Sequence, residues 1–295
     1  MAQDGASNQP SPLKTILAIL IIVVLPLLIG LYVAPKIVPA PKIGVIRLYY
    51  EINPTTAYEF REQLSYARND PAIEAVVVVI NSPGGTASDS ENLYLEVLDA
   101  RDDLPVVASV DFLAASGAYY IASAADAIYA KPGSAVGSIG VISSLPETGY
   151  IEEDVLTTGP YKGFGGTRDG YVRRAETLKF AFLSAVMAGR EGKLTTAASP
   201  DYLSRAEIFS GVQAHELGLI DGLRSTSEAI AEAGQLAGLR DYEVVELYPL
   251  AFADDENSGT AVSTYQAPPL DTERLWAMPT NMAPGYYYRY IEMNQ

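Results

Sequence analysis

The sequence contains no cysteine, and its 295 residues include one histidine, His215, and one tryptophan. Without thiols there is no disulfide, no cysteine nucleophile and no thiolate metal site, and any serine/histidine/aspartate mechanism has a single base to draw on. Positive charge is scarce as well. Twenty Lys and Arg against 36 Asp and Glu give a formal charge of −16; because Lys14, Lys36 and Lys42 outweigh Asp4 in the first 42 residues, residues 43–295 carry −18. Such a surface repels phosphate backbones and speaks against nucleic acid as a partner. A chain of this length that is 48% apolar can bury a sizeable core, which excludes a wholly disordered protein.

What is present begins with a long uncharged run. Residues 15–35 carry no charge and are almost entirely apolar from Ile16 to Val33, a length that spans about 30 Å as a helix. The run exceeds a signal-peptide core, and Val33-Ala34-Pro35 is a poor cleavage site, so a retained single-pass membrane anchor is expected, with Pro26 kinking it. Residues 1–14 read as a short flank and 36–42 as a linker.

From residue 43 strands and helices alternate. Strands are expected at 43–50, 75–80, 105–110, 127–130, 138–143 and 242–248, and helices at 57–68, 89–101, 114–125, 171–190 and 225–237. The wholly β-branched run Val76–Ile80 suits a strand buried on both faces, as in an α/β layer structure. Residues 251–295 differ in composition: an acidic stretch comes first, then prolines, then Tyr286, Tyr287, Tyr288 and Tyr290. This tail is either loose or an arm docked on a neighbouring subunit.

Two motifs carry chemistry. Asn81-Ser82-Pro83-Gly84-Gly85 follows the buried strand, where its glycines permit positive φ and bring bare N–H groups up to a ligand. Ser116, in Ala114-Ala115-Ser116-Gly117-Ala118-Tyr119-Tyr120, follows another strand and opens a small-residue helix, so it is either an N-cap or a nucleophile. The Gly84 and Gly117 amides form a two-donor oxyanion hole if the strand ends adjoin.

A serine nucleophile needs a base. His215 reads as a surface or capping residue of a distant helix, which leaves Lys131, Lys162, Lys179 and Lys193 among the residues after the two motifs. An ordinary ammonium is neutral in fewer than about one molecule in a thousand at pH 7, so burial has to depress its pKa by several units. Lys179 and Lys193 lie on or beside a polar helix, and Lys131 precedes a proline. Lys162 sits among small and aromatic residues that can exclude water.

INSPGG at 80–85, AASGAYYIASAAD at 114–126, VGSIGVI at 136–142, TGPYK at 158–162 and IFSGVQAHELGLIDGL at 208–223 together resemble the membrane-anchored, serine-type signal peptide peptidases of the Clp protease/crotonase superfamily. The resemblance covers residues 43–250. It implies a repeated ββα spiral, a Ser116 nucleophile and a Lys162 general base. It further implies oxyanion-hole N–H groups from Gly84 and Gly117, and Ser138 hydrogen-bonded to the lysine amine. Serine and lysine are expected from adjacent subunits of a homo-oligomeric ring. No cofactor or metal is expected, and the expected location is the cell membrane with the catalytic domain extracytoplasmic. An extended hydrophobic peptide, such as a cleaved signal peptide, would add as a strand near Ser82 and Gly85. The competing readings are a peptidase acting on stomatin-partner proteins, an acyl-CoA enzyme of the same fold, and a non-catalytic peptide-binding scaffold.

Overall fold

The computed structural model describes residues 12–37, 40–145, 158–159, 162, 166–253, 265–277 and 282–291. The chain divides into two units, residues 1–41 and 42–295. The first contains α1 (Pro12–Ile19), a π-helical turn (Leu20–Val24) and α2 (Leu25–Ile37), which abut without a break. Pro26 has no N–H to give to residue 22, and the ladder widens just before it, the Leu25 N–H donating to the Leu20 carbonyl. Among the described residues no single helix is long and apolar enough to cross a membrane. Ile16, Ile22, Leu27, Leu31 and Tyr32 nonetheless stand exposed along this run.

The second unit is a mixed α/β fold. Its elements, in chain order, are β1 (Lys42–Tyr49), α3 (Pro54–Asn69), β2 (Ile73–Ser82), β3 (Gly84–Thr86), α4 (Ala87–Ala100), β4 (Val106–Ala115), α5 (Gly117–Ala122), β5 (Ala127–Ala130), β6 (Ala135–Gly137) and β7 (Ile142–Ser144). There follow α6 (Arg168–Gly189), α7 (Pro200–Leu203), β8 (Ile208–Ser210), α8 (Gly211–Leu217), β9 (Gly222–Leu223), α9 (Thr226–Leu236), β10 (Glu243–Glu246), α10 (Tyr248–Ala251), α11 (Thr272–Trp276) and β11 (Gly285–Arg289). The central sheet is parallel in the order β10-β1-β2-β4-β5-β9, and β6 pairs with the far half of β4.

The β-branched run explains the layering. Val76, Val78 and Ile80 face a core with Phe60, Leu64, Leu93 and Val97 of α3 and α4, whereas Ala75, Val77 and Val79 face Ala229 and Ala233 of α9. Period-2 alternation thus buries both faces, at about 1.5–3 kcal/mol for each large side chain. Helix starts are set by side-chain caps: Asn53 before Pro54, Ser210 and Ser225 each close a capping box.

Two boundaries differ from expectation. Ala114 and Ala115 belong to β4, not to a helix, because their backbones pair with Ser82 on one side and with Val136 and Gly137 on the other. The expected strand at 138–143 is broken at its first residue: Ser138 has φ 55°, and the chain becomes extended again only at Ile142. Residues 265–291 are not wholly loose, since β11 lies between β3 and β7 of the same chain.

Candidate active site

The register between β2 and β4 slips after Ile80. Ile80 pairs with Val110 but Asn81 with Leu113, so Asp111 and Phe112 bulge out of the ladder. Fully buried Asn81 fills the gap: its Oδ1 accepts the Phe112 N–H at 2.7 Å, and its Nδ2 donates to Asp111 Oδ2 at 3.3 Å. The bulge sets the register at which the two motif-bearing strand ends finish side by side, with Ser82 opposite Ala114.

At the end of β4, Ser116 adopts φ 56° and ψ −121°, a conformation costly for any residue with a Cβ. Its N–H donates to the Gly137 carbonyl at 2.8 Å, and its hydroxyl makes no capping bond to α5. The capping role open to a helix-opening serine is therefore not the one this side chain plays. The Gly117 N–H is the first of α5 and has no intrahelical acceptor. Ser138 stands one residue beyond the paired ends Ala115 and Gly137, which places it beside Ser116. It too has positive φ and is nearly buried.

Gly84, at φ 90°, completes the cluster. A methyl group there would approach the Gly117 nitrogen to 2.7 Å and the Tyr288 carbonyl oxygen to 2.0 Å, so the two glycines adjoin as the motifs required. The Gly84 N–H donates to Ser82 Oγ at 3.1 Å, and Ser82 is fully buried, its hydroxyl holding the turn. Gly85 is glycine for a packing reason, because a Cβ would meet the Ile52 carbonyl at 1.8 Å. On its other edge Gly85 pairs with Tyr288.

Of the four candidate lysines, three are tied to carboxylates: Lys131 to Asp111 at 2.5 Å, Lys179 to Glu176 at 2.5 Å and Lys193 to Asp221 at 2.8 Å. A base must shed its proton, and a neighbouring carboxylate opposes that. Lys162 is exposed, its N–H donating to the Gly159 carbonyl at 3.2 Å. The residues on either side of it, 160–161 and 163–165, lie outside those described, as does 146–157. His215 is exposed near the end of α8.

Sequence reasoning missed the aromatic cluster around Tyr120, one turn along the helix that Ser116 opens. Tyr94 and Tyr120 stack at 4.6 Å, Phe182 lies 4.8 Å from Tyr120, and the Tyr288 ring packs on Tyr120 and Phe182 at 5.4 and 5.1 Å. Burial, with Glu91 and Tyr94 nearby, pushes the Tyr120 phenol up to about 12. The Glu91/Tyr94 spacing on α4 was a readable signal of a shared face. A separate cleft of about 440 Å³, lined by Arg47, Tyr50, Glu59, Gln63, Tyr265 and Arg274 among others, contains none of the expected site residues.

Among the described residues the Ser116 hydroxyl has no hydrogen-bond partner, and it lies beside two adjoining glycines at the ends of parallel strands, an arrangement suited to a serine nucleophile. Residues 99–240, just under half of the chain, match the profile of peptidase family S49. The matched span includes Ser116, Ser138 and Lys162 and begins after Gly84. Protease 4 of Salmonella typhi is 29% identical over 202 residues, covering 64% of this chain and 32% of that protein. The chloroplastic serine protease SPPA of Arabidopsis thaliana is 29% identical over 207 residues, covering 66% and 31%. A protein of Synechocystis named as a protease is 35% identical over 187 residues, covering 59% and 66%. The chain thus spans about a third of the length of the first two. The fold is shared with a lysine-to-alanine mutant of a membrane-bound stomatin-specific protease solved with a substrate peptide. That likeness has a TM-score of 0.51 at 16% identity and covers 71% of this chain and 93% of that one.

Proposed function

We propose that this chain is a membrane-anchored serine endopeptidase with a Ser116/Lys162 dyad, built on a Clp protease/crotonase-like spiral, that degrades hydrophobic peptides such as cleaved signal peptides. The observation that carries the reading is Ser116 itself: a buried serine held at φ 56°, its hydroxyl not used to cap the helix it opens, next to Gly84, Gly117 and Ser138. The neutral Lys162 amine removes the Ser116 proton as Oγ attacks the peptide carbonyl. The Gly84 and Gly117 N–H groups stabilise the oxyanion, Gly84 turning its donor from Ser82 to the stronger acceptor. The lysine then returns the proton to the leaving amine, and water releases the acyl group. Ser138 orients the lysine amine.

Lys162 is exposed in a single chain, and a lysine base needs a surface that excludes water from it. A second copy of the chain supplies that surface, and the dyad forms between subunits of a ring. Residues 15–35 anchor the chain: α1, the π turn and α2 run together, and their exposed apolar side chains call for a lipid environment. On this reading 36–42 is the linker, 43–250 the peptidase domain on the extracytoplasmic side of the cell membrane, and 251–295 the tail.

The test uses detergent-solubilised full-length chain, a serine-directed phosphonylating probe and a hydrophobic reporter peptide. Wild type is expected to label at Ser116 and cleave the peptide, and Ser116→Ala to do neither. Lys162→Ala is expected to lose both by orders of magnitude. Retained peptidase activity in either variant refutes the dyad.

A further inference from the structure

The cleft of about 440 Å³ between β1, α3, β10 and residues 265–274 has a size typical of small-molecule sites, which run from about 300 to 1,000 Å³. Buried Leu48 and Phe60 and the stacked rings of Tyr248 and Tyr265, 6.0 Å apart, give it an apolar lining. Its polar groups fall into two sets. Arg47 and Glu246 satisfy each other, Nη2 donating to Oε1 at 2.5 Å, and Arg47 Nη1 donates to Tyr49 Oη at 2.9 Å. Glu59, Gln63 and Arg274 are unspent. Gln63 is 4% exposed and its Nε2 donates to the Glu59 backbone carbonyl at 3.0 Å, but among the described residues neither its Oε1 nor the Glu59 carboxylate has a hydrogen-bond partner. Burial raises the Glu59 carboxyl against the opposing pull of Arg274. The Arg274 guanidinium lies 4.1 Å from the centroid of the Tyr50 ring and forms no ion pair with a described residue. Its place is fixed beforehand: the Arg274 N–H donates to Asp271 Oδ1 at 3.1 Å, and the Asp271 N–H donates to Tyr50 Oη at 3.0 Å.

We propose that this cleft binds a short zwitterionic peptide with apolar side chains, its ammonium donating to the Glu59 carboxylate and Gln63 Oε1 and its carboxylate accepting from Arg274. The side chains of the peptide lie against Leu48, Phe60, Tyr248 and Tyr265. Charge selects this class of ligand. Two arginines and two glutamates line the cleft, so it is neutral as a whole, with one unspent group of each sign. A plain anion is repelled by the −18 on residues 43–295 and leaves Glu59 uncompensated. A plain cation meets Glu59 but leaves Arg274 without an acceptor. A molecule with both charges satisfies both groups, and burying its apolar part on the aromatic rings supplies the remaining affinity. The site contains no catalytic residue, so this ligand does not depend on the chemistry of Ser116.

The test is calorimetric titration of detergent-solubilised full-length chain carrying Ser116→Ala, which removes turnover by that serine. The probes are leucyl-phenylalanine with both ends free, its N-acetyl form and its C-terminal amide. The free dipeptide is expected to bind, and each blocked form to bind about tenfold or more weakly, since each loses one charge-assisted contact. Glu59→Gln is expected to weaken the free dipeptide and to bring its advantage over the N-acetyl form close to one, while its advantage over the amide persists. Arg274→Gln is expected to do the reverse. The comparison of blocked and free peptides needs no substitution in the cleft, so it decides the matter even where a variant folds poorly. No binding of the free dipeptide at about 10 mM, or equal affinity for all three forms, overturns the proposal. Binding whose end-group preferences survive unchanged in both Glu59→Gln and Arg274→Gln occurs elsewhere on the chain and overturns it as well.

Discussion

Ser116 offers a test in which a routine expectation reverses sign. Ser116→Ala and Ser116→Gly both delete the hydroxyl, so their difference isolates the Cβ. At ordinary backbone angles glycine is less stable than alanine by about 0.5–1 kcal/mol. At φ 56° and ψ −121° the balance inverts, because a residue with a Cβ carries about 1–3 kcal/mol of strain that glycine does not. Subtracting the glycine cost leaves Ser116→Gly more stable than Ser116→Ala by about 1 kcal/mol, or about 2–4 °C in Tm for a unit this large. Urea unfolding and thermal melts of the two full-length variants measure it, and neither should cleave peptide. If alanine proves equal to or more stable than glycine, the strand-to-helix turn is not strained, and the argument that the protein maintains Ser116 at a cost to stability collapses.

Two further outcomes follow from buried polar groups. Asn81→Leu removes the acceptor for the Phe112 N–H inside the β2/β4 bulge and should cost about 1–3 kcal/mol in urea unfolding, while Asn81→Asp keeps that acceptor but sets a second, buried carboxylate against Asp111 and should cost at least as much at pH 7. Burial alone would raise the Asp221 carboxyl, yet hydrogen bonds from Arg190 and Lys193 hold it below its usual value. Its contribution is therefore fully present above the unfolded carboxyl pKa of about 3.9 and is lost as pH falls through the lower folded value. Asp221→Asn leaves the buried Arg190 without its carboxylate partner, so it should melt well below wild type at pH 7, with the gap narrowing below about pH 4. A gap that stays constant with pH contradicts the assignment.

The parts of the fold legible in the sequence were those encoded locally. Val76–Ile80 announced a strand covered on both faces, and the spacing of Asn81–Gly85 to Ser116 placed two chemistry-bearing turns at neighbouring strand ends. The Ala114–Ala115 boundary was misjudged because alanine favours helix intrinsically, whereas here pairing to β2 and β6 dictates an extended backbone. Strand β11 was invisible for a different reason: its partners, Gly84–Thr86 and Ile142–Ser144, are far away in the chain, and a tyrosine cluster carries no mark of which edge it will join. The ion pairs that tie Lys131, Lys179 and Lys193 were likewise unreadable, although they narrow the choice of base more than composition does.

The central claim, a dyad shared between copies, is tested most directly by mixing. Full-length Ser116→Ala and Lys162→Ala chains are dissociated together, reassembled and assayed on the hydrophobic peptide, with each parent treated alone. The account requires inactive parents and a mixture that recovers activity approaching about a quarter of wild type, since random assembly pairs an intact serine with an intact lysine at one interface in four. A mixture as inactive as its parents, in oligomers shown to contain both chains, would contradict the shared dyad.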